Sequence, residues 1–457
     1  MAALTFDLTP RVVPRVETPY RRIVTQIPPP ESLPVLEDLR RYEPVAMTGQ
    51  PPIVWARAVD CQVYDPHGNM WLDFSSGVLV ANSGHCAPEV KQAIVSQANG
   101  ELLHNYCFPS RQRAELAKLL ASVAPPGLNK VFLLTTGAEA NENAIKLART
   151  WGQQRGGKRK IGIISFERAF HGRTMGAQQA GGSPALKEWI VNLDPAFYQV
   201  PFPDGFHTED TSFDLFLRSL SAQGATPDAV AAVIMETFQG GGADFAPLEY
   251  MRALRRWCDV NDILLICDEV QAGFCRSGKF WSFEHYGIVP DIIVCGKGIS
   301  SSLPLSAVIS RPEIMDLYPP GSMTSTHTGN PVACAAAIAN IRRMLDLRLD
   351  ENATQRGKHL VSLLGGLQRE FGRVIGAVHG RGLVAGIQVV HEGGKDPDAE
   401  LAHRIVEKSF QKGLLFFAPV GFGSATVKVA PPLTITDAML DDGFVALGQA
   451  FTEATAE

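Results

Sequence analysis

Ile263-Leu-Leu-Ile-Cys-Asp-Glu-Val-Gln-Ala-Gly-Phe274, with Asp291-Ile-Ile-Val-Cys-Gly-Lys-Gly-Ile-Ser-Ser-Ser302 after it, decides how the chain is read. Two short apolar runs, Ile263–Cys267 and Ile292–Cys295, each end on polar groups: Asp268-Glu269 after the first, Gly296-Lys297-Gly298 after the second. Runs of this length, bounded by turn residues and almost free of charge, predict buried parallel strands. In an open α/β sheet, ligands gather beyond the carboxyl ends of the strands. Asp268 and Lys297 are therefore expected to face one crevice, a carboxylate and an amine together.

Working outward, strand-like runs recur at 131–135, 161–165, 230–235 and 307–310, and helical stretches such as 138–150 and 250–260 lie between several of them. Strands alternating with helices predict an α/β domain with a mostly parallel sheet. Residues 88–103 and 111–123 read as helices, as do 332–345 and 353–371. Two strand runs around Asp65-Pro-His-Gly-Asn69 read as a hairpin or meander. The tail mixes strand runs at 374–390, 414–417 and 426–429 with helices at 399–411 and from Asp437, an α+β pattern. Residues 1–45, rich in proline and arginine, read as an irregular arm lying on the body or on a partner subunit. The expected division is an arm (1–45), the first part of a small domain (46–87), a large domain (88–335) and the rest of the small domain (336–457).

The chain has 457 residues, long for a single compact core, so two domains are expected. Its 45% hydrophobic and 19% charged residues describe an ordinary globular protein. A net charge of −5, with no long basic run, gives no attraction for nucleic acid or an anionic membrane. No apolar stretch is long enough to span a bilayer, and a cytoplasmic location is expected. The eight cysteines contain no Cys-x-x-Cys spacing. They read as small buried hydrophobes in a reducing compartment, and no metal site is expected.

An acid and an amine in one crevice are the minimum equipment for pyridoxal phosphate (PLP). The amine forms an imine with the cofactor's aldehyde, and the acid pairs with its ring nitrogen so that the ring accepts electrons. With Thr136-Gly-Ala-Glu-Ala-Asn-Glu-Asn143, Phe170-His-Gly-Arg-Thr174, Asp268-Glu-Val-Gln271, Gly296-Lys-Gly298 and Thr326-His-Thr-Gly-Asn-Pro331 in this order, the chain resembles the class-III aminotransferases, fold-type-I PLP enzymes of the 4-aminobutyrate and ornithine type. The resemblance spans roughly residues 50–440. It implies a large domain with a mostly parallel central sheet and a smaller α+β domain.

By resemblance, Thr136, Gly137 and Ala138 cradle the cofactor phosphate, as a strand-to-helix turn with free N–H groups can. Phe170 stacks on the pyridine ring, Val270 packs on its other face, Asp268 binds its nitrogen and Gln271 its hydroxyl. Lys297 holds the cofactor and then moves the proton, and Thr326 supplies a phosphate contact from the neighbouring subunit of a homodimer. Arg173 stands where the family often grips a substrate carboxylate, with a structural ion pair as the alternative. The family's usual Glu/Arg pair is replaced by Gly241 and Lys428, which removes a bidentate carboxylate contact and leaves the substrates open. The implied reaction moves an amino group from an amine or an ω-amino acid to a keto acid or aldehyde. Racemisation, epimerisation or decarboxylation on the same cofactor is the alternative.

Overall fold

The computed structural model describes residues 4–456. The chain divides into two compact units, one formed by residues 88–350 and the other by the segments before and after it.

The larger unit is built on a seven-stranded sheet. In chain order its strands are β1 (Lys130–Leu134), β2 (Gly162–Phe166), β3 (Phe197–Val200), β4 (Val230–Glu236), β5 (Leu264–Asp268), β6 (Ile292–Cys295) and β7 (Ser306–Ser310). Their spatial order is β1-β7-β6-β5-β4-β2-β3. The pairs from β6 through β5, β4 and β2 to β3 are parallel, whereas β7 runs antiparallel to both β6 and β1. The exception has a simple cause. Between β6 and β7 the chain has only residues 296–305, whose one regular element is the 3-10 turn Lys297–Ile299. A parallel return needs a crossover of a dozen or more residues, so the chain doubles back.

Helix α1 (Gly137–Gly156) packs on this sheet through small residues. Ala140, Ala144, Ile145 and Ala148 meet Ile234, Ile266, Ile292 and Val308 in one buried cluster. The alanines bring the helix axis close to the strands, so residues in its first turn reach the strand ends. Helix α2 (Leu248–Val260) precedes β5 and buries Tyr250, Met251, Leu254 and Cys258. Helix α3 (Pro331–Asp346) starts with proline in its first turn, where the missing N–H costs nothing.

The other unit holds two sheets. A three-stranded meander, Arg57–Val59, Gln62–Tyr64 and Met70–Asp73, is extended by Arg22–Ile23 and Val16–Glu17, and Leu414–Leu415 pairs with it in parallel. The second sheet is antiparallel, Ile375–Arg381, Val384–Val389 and Thr426–Val429. Helices Ala399–Gln411 and Asp437–Ala456 complete the α+β character.

The N-terminal segment is more ordered than the irregular arm expected. It contains the two short strands and a helix, Leu33–Tyr42, whose Pro34 sits at the helix start, where proline is tolerated. Arg21, buried, holds Asp442 Oδ2 at 2.6 Å and the Lys412 carbonyl at 2.7 Å, which fastens the segment to its own unit. All eight cysteines are free, and six of them are buried. No helix among the described residues is long and apolar enough to cross a membrane.

Candidate active site

The carboxyl ends of β4, β5 and β6 lie side by side. The register sets Glu236 beside Asp268, and Asp268 beside Val294, with Lys297 three residues further on. Neighbouring parallel strands thus deliver two buried carboxylates and one amine to a single edge of the sheet.

Asp268 is held from two sides. Its Oδ2 accepts from Asn141 Nδ2 at 2.8 Å and sits 2.8 Å from His171 Nδ1, while its Oδ1 accepts the Val270 N–H at 3.0 Å. Asn141 also donates to the His171 carbonyl at 2.7 Å, so the three residues form one buried unit. Burial alone would push the His171 imidazole down. The hydrogen bond to Asp268, the charge of Asp268 and that of Glu236 outweigh it and hold His171 above its ordinary value. His171 Nε2 and Asn141 Oδ1 are buried with no hydrogen-bond partner among the described residues.

Lys297 begins the turn after β6 with φ +44°, in the left-handed region that only a constrained lysine occupies. The turn is fixed from α3 by Asn340, whose Nδ2 donates to the carbonyls of Gly298 and Ile299 at 2.8 and 3.0 Å. Burial lowers the affinity of the Lys297 amine for its proton, and the charges of Asp268 and Glu236 oppose that shift without cancelling it. Glu236 is pushed up to about 7, first by burial and also by Asp268. Its Oε2 accepts the Phe170 N–H and its Oε1 the Gly240 N–H, both at 2.9 Å. One carboxylate thereby ties two loops to the end of β4.

Thr136 caps α1. Its hydroxyl accepts the Glu139 N–H at 3.2 Å, and Glu139 Oε2 accepts the N–H groups of Thr135 and Thr136 in return. Ala140 N–H takes the Thr136 carbonyl. The N–H groups of Gly137 and Ala138 are left at the positive end of a twenty-residue helix. At Gly137 a Cβ would lie 2.9 Å from Val270 Cγ1, so only glycine allows the helix start to close on Val270. At Gly240 a Cβ would lie 2.1 Å from Gln271 Nε2, so the Gln271 amide rests against bare backbone.

Phe170 is 37% exposed, and Arg173 holds its guanidinium 5.6 Å from the centre of the Phe170 ring. The ion pair weighed as the alternative for Arg173 finds no partner among the described residues. Gly241 lies half-buried in the turn where Gln239 N–H meets the Asp244 carbonyl. Thr326 is exposed on the loop before α3. Lys428 is buried on the Thr426–Val429 strand of the other unit, paired with Gly386.

The larger unit thus contains Thr136, Gly137, Ala138, Phe170, Arg173, Gly241, Asp268, Val270, Gln271, Lys297 and Thr326. The sequence reading gave no role to Asn141 or Asn340. Asn141 falls one helical turn after Gly137, on the stripe that continues through Ala144 and Ala148 to the sheet. Its place inside the Thr136–Asn143 motif and that spacing were its signals.

The donor set suits PLP in each part: a buried acid for a ring nitrogen, a buried amine for an aldehyde, free helix-start N–H groups for a phosphate, and apolar Phe170 and Val270 for a flat ring. The comparisons agree. Residues 45–451 match the family described as aminotransferase class-III. The acetylornithine aminotransferase of Caldanaerobacter subterraneus is 34% identical over 88% of this chain and 95% of its own length. The 4-aminobutyrate aminotransferase of Mycobacterium leprae is 34% identical over 94% and 97%. Among solved structures, a PLP-bound amine transaminase from an uncultivated Pseudomonas species superposes with a TM-score of 0.81 at 28% identity, covering 88% of this chain and 95% of its own. With this fold and this set of groups, the chain belongs to the class-III aminotransferases, PLP-dependent enzymes that transfer amino groups.

Proposed function

We propose that Lys297 is the residue that holds PLP and carries the proton in transamination. The supporting observation is its amine, buried at the strand ends with Asp268 and Glu236 as its charged neighbours. Bound PLP supplies an electron sink for the carbon that loses its proton. An amine whose proton affinity is lowered by burial gives up its proton more readily than an exposed lysine, as a base must, and returns the proton once positioned. Asp268, fixed by Asn141 and His171, takes the ring nitrogen. The N–H groups of Gly137 and Ala138, with Thr136 beside them, take the phosphate. Phe170 and Val270 hold the ring flat, and Gln271 takes its hydroxyl.

The donor is an amine or ω-amino acid and the acceptor a keto acid or aldehyde. The relatives' named substrates, acetylornithine and 4-aminobutyrate, carry an amine at the end of a carbon chain remote from a carboxylate. Arg173, free of ion pairs among the described residues, is assigned the substrate carboxylate, and Gly241, where the family's glutamate would stand, tunes which second substrate is accepted. The exposed Thr326 suits a homodimer in which each copy contributes to the other's site. Eight free cysteines suit a reducing compartment, the cytoplasm.

The test is the absorption spectrum of purified protein titrated with amines and amino acids. The band of the bound cofactor is expected to bleach with a donor and return with a keto acid. Lys297→Ala is expected to lower turnover by about 10⁴-fold. A band that persists while an amino acid loses chirality or carbon dioxide would replace transfer by racemisation or decarboxylation. No band after PLP is added would remove Lys297 from this role.

A further inference from the structure

A pocket of about 580 Å³ lies at the amino ends of β5 and β6, the sheet edge opposite Asp268 and Lys297. Arg252, Arg255 and Arg256 enter it from α2, Arg311 from the residue after β7, and the acids present are Asp259 and Asp291. Four guanidinium groups therefore face two carboxylates, in a protein whose formal net charge is −5.

The carboxylates are already committed. Asp291 receives Arg255 Nη1 on Oδ2 at 2.8 Å and Arg311 Nη1 on Oδ1 at 2.6 Å, and Oδ2 also accepts the Leu265 N–H. Asp259 takes Arg255 Nη2 at 2.8 Å. Arg252 pairs with Glu249 at 3.0 Å, with both side chains largely in water, where such a pair is weak. Arg256 has no hydrogen bond or ion pair among the described residues. Buried Arg255 Nε is likewise without a partner. Arginines at i, i+3 and i+4 share one helix face and repel one another. Arg311 is held in place by the Trp151 ring, 5.3 Å from its guanidinium carbon. The result is a preformed concave site with surplus positive charge and planar donor forks.

We propose that this pocket binds a small oxyanion carrying two or more negative charges. Guanidinium forks match the oxygens of phosphate and carboxylate two at a time, and Arg256 provides an unused fork. Because the pocket lies at the other edge of the sheet, its ligand does not compete with the amino donor.

The experiment is calorimetric titration of the PLP-saturated enzyme with pyrophosphate and, separately, succinate at fixed ionic strength. Saturation with PLP fills the cofactor's own phosphate site. The expected result is binding that Arg256→Ser weakens about tenfold and Arg256→Glu abolishes, with turnover unchanged in both variants. Tighter binding of pyrophosphate identifies a phosphate-bearing ligand, and tighter binding of succinate a dicarboxylate. Equal binding to wild type and Arg256→Glu, or no binding of either anion at millimolar concentration, overturns the proposal.

Discussion

Asp268 and Glu269 are neighbours on the chain, yet the regions they enter are opposites. Successive side chains at a strand end point to opposite faces. Asp268 points toward α1 and meets side chains only partly satisfied, since His171 Nε2 and Asn141 Oδ1 have no partner among the described residues. Glu269 points the other way into a closed setting. Its Oε1 accepts from the Thr237 hydroxyl at 2.6 Å and the Phe283 N–H at 3.0 Å, and its Oε2 accepts the Ser282 N–H at 2.8 Å. Tyr286 seals that side by donating to the Thr237 carbonyl. Two acids with the same backbone origin thus differ in what their partners leave unsatisfied. Glu269, with both oxygens bonded, holds the loop after β5, whereas Asp268, with unfilled neighbours, is the acid proposed to meet the cofactor.

The sharpest way to break this contrast is to neutralise each acid in turn. Asp268→Asn is expected to lower kcat/KM by about 10³-fold, the scale seen when one preorganised electrostatic contact is removed. Glu269→Gln is expected to leave kcat/KM within about threefold. Steady-state kinetics with excess PLP measure both, and comparable losses would mean that the two sides of the strand are not functionally distinct.

A smaller effect tests whether Asn141 belongs to Asp268's side. Asn141→Ala removes one of the two contacts on Asp268 Oδ2, a bond to a charged group with a value of about 2 kcal/mol. PLP affinity should fall about 30-fold, and the absorption maximum of the bound cofactor should shift, because Asp268, the acid proposed for its ring nitrogen, is no longer fixed. A loss of thermal stability with neither change would make Asn141 a packing residue only.

Much of this arrangement was legible in the sequence. The runs at 263–267 and 292–295 became β5 and β6 because buried strands need unbroken apolar residues. The helices at Arg111–Val123 and Ala399–Gln411 were bounded by clear changes of pattern. Other elements left weaker traces. Strand β3, Phe-Tyr-Gln-Val, is an edge strand with a polar residue and little apolar run to detect. Helix Leu33–Tyr42 was hidden by prolines that fall at its tolerant first turn. The reversal of β7 depends on connection length, which an apolar run does not report. The motifs named the residues that the fold gathers at the strand ends and at the start of α1, but they gave no role to Asn141, which lies within the first of them. Asn141 and Asn340 act through backbone and side-chain geometry across the fold, and a polar residue within a helix reads as exposed until the sheet it faces is known.

The smallest expected effect is on stability, and it uses Glu269 to ask what a closed setting costs. Burial, which outweighs the bonds from Thr237, Ser282 and Phe283, raises Glu269 to about 7 from an ordinary 4.5, and Asp268 adds to the rise. Between those two values the folded protein holds a proton that the unfolded chain has released. Stability is therefore fully present below about 4.5 and falls as pH rises through about 7. Glu236, also raised to about 7, acts with the same sign. Glu269→Gln fixes this position in an uncharged form resembling the protonated acid. Melting of the wild type should drop by several degrees between pH 5 and pH 8, while the variant is spared about 1–3 kcal/mol of that loss. Identical pH slopes in the two proteins would show that Glu269 stays ionised when folded. Its bonds would then outweigh its burial, and the closed side of the strand would carry no penalty for charge.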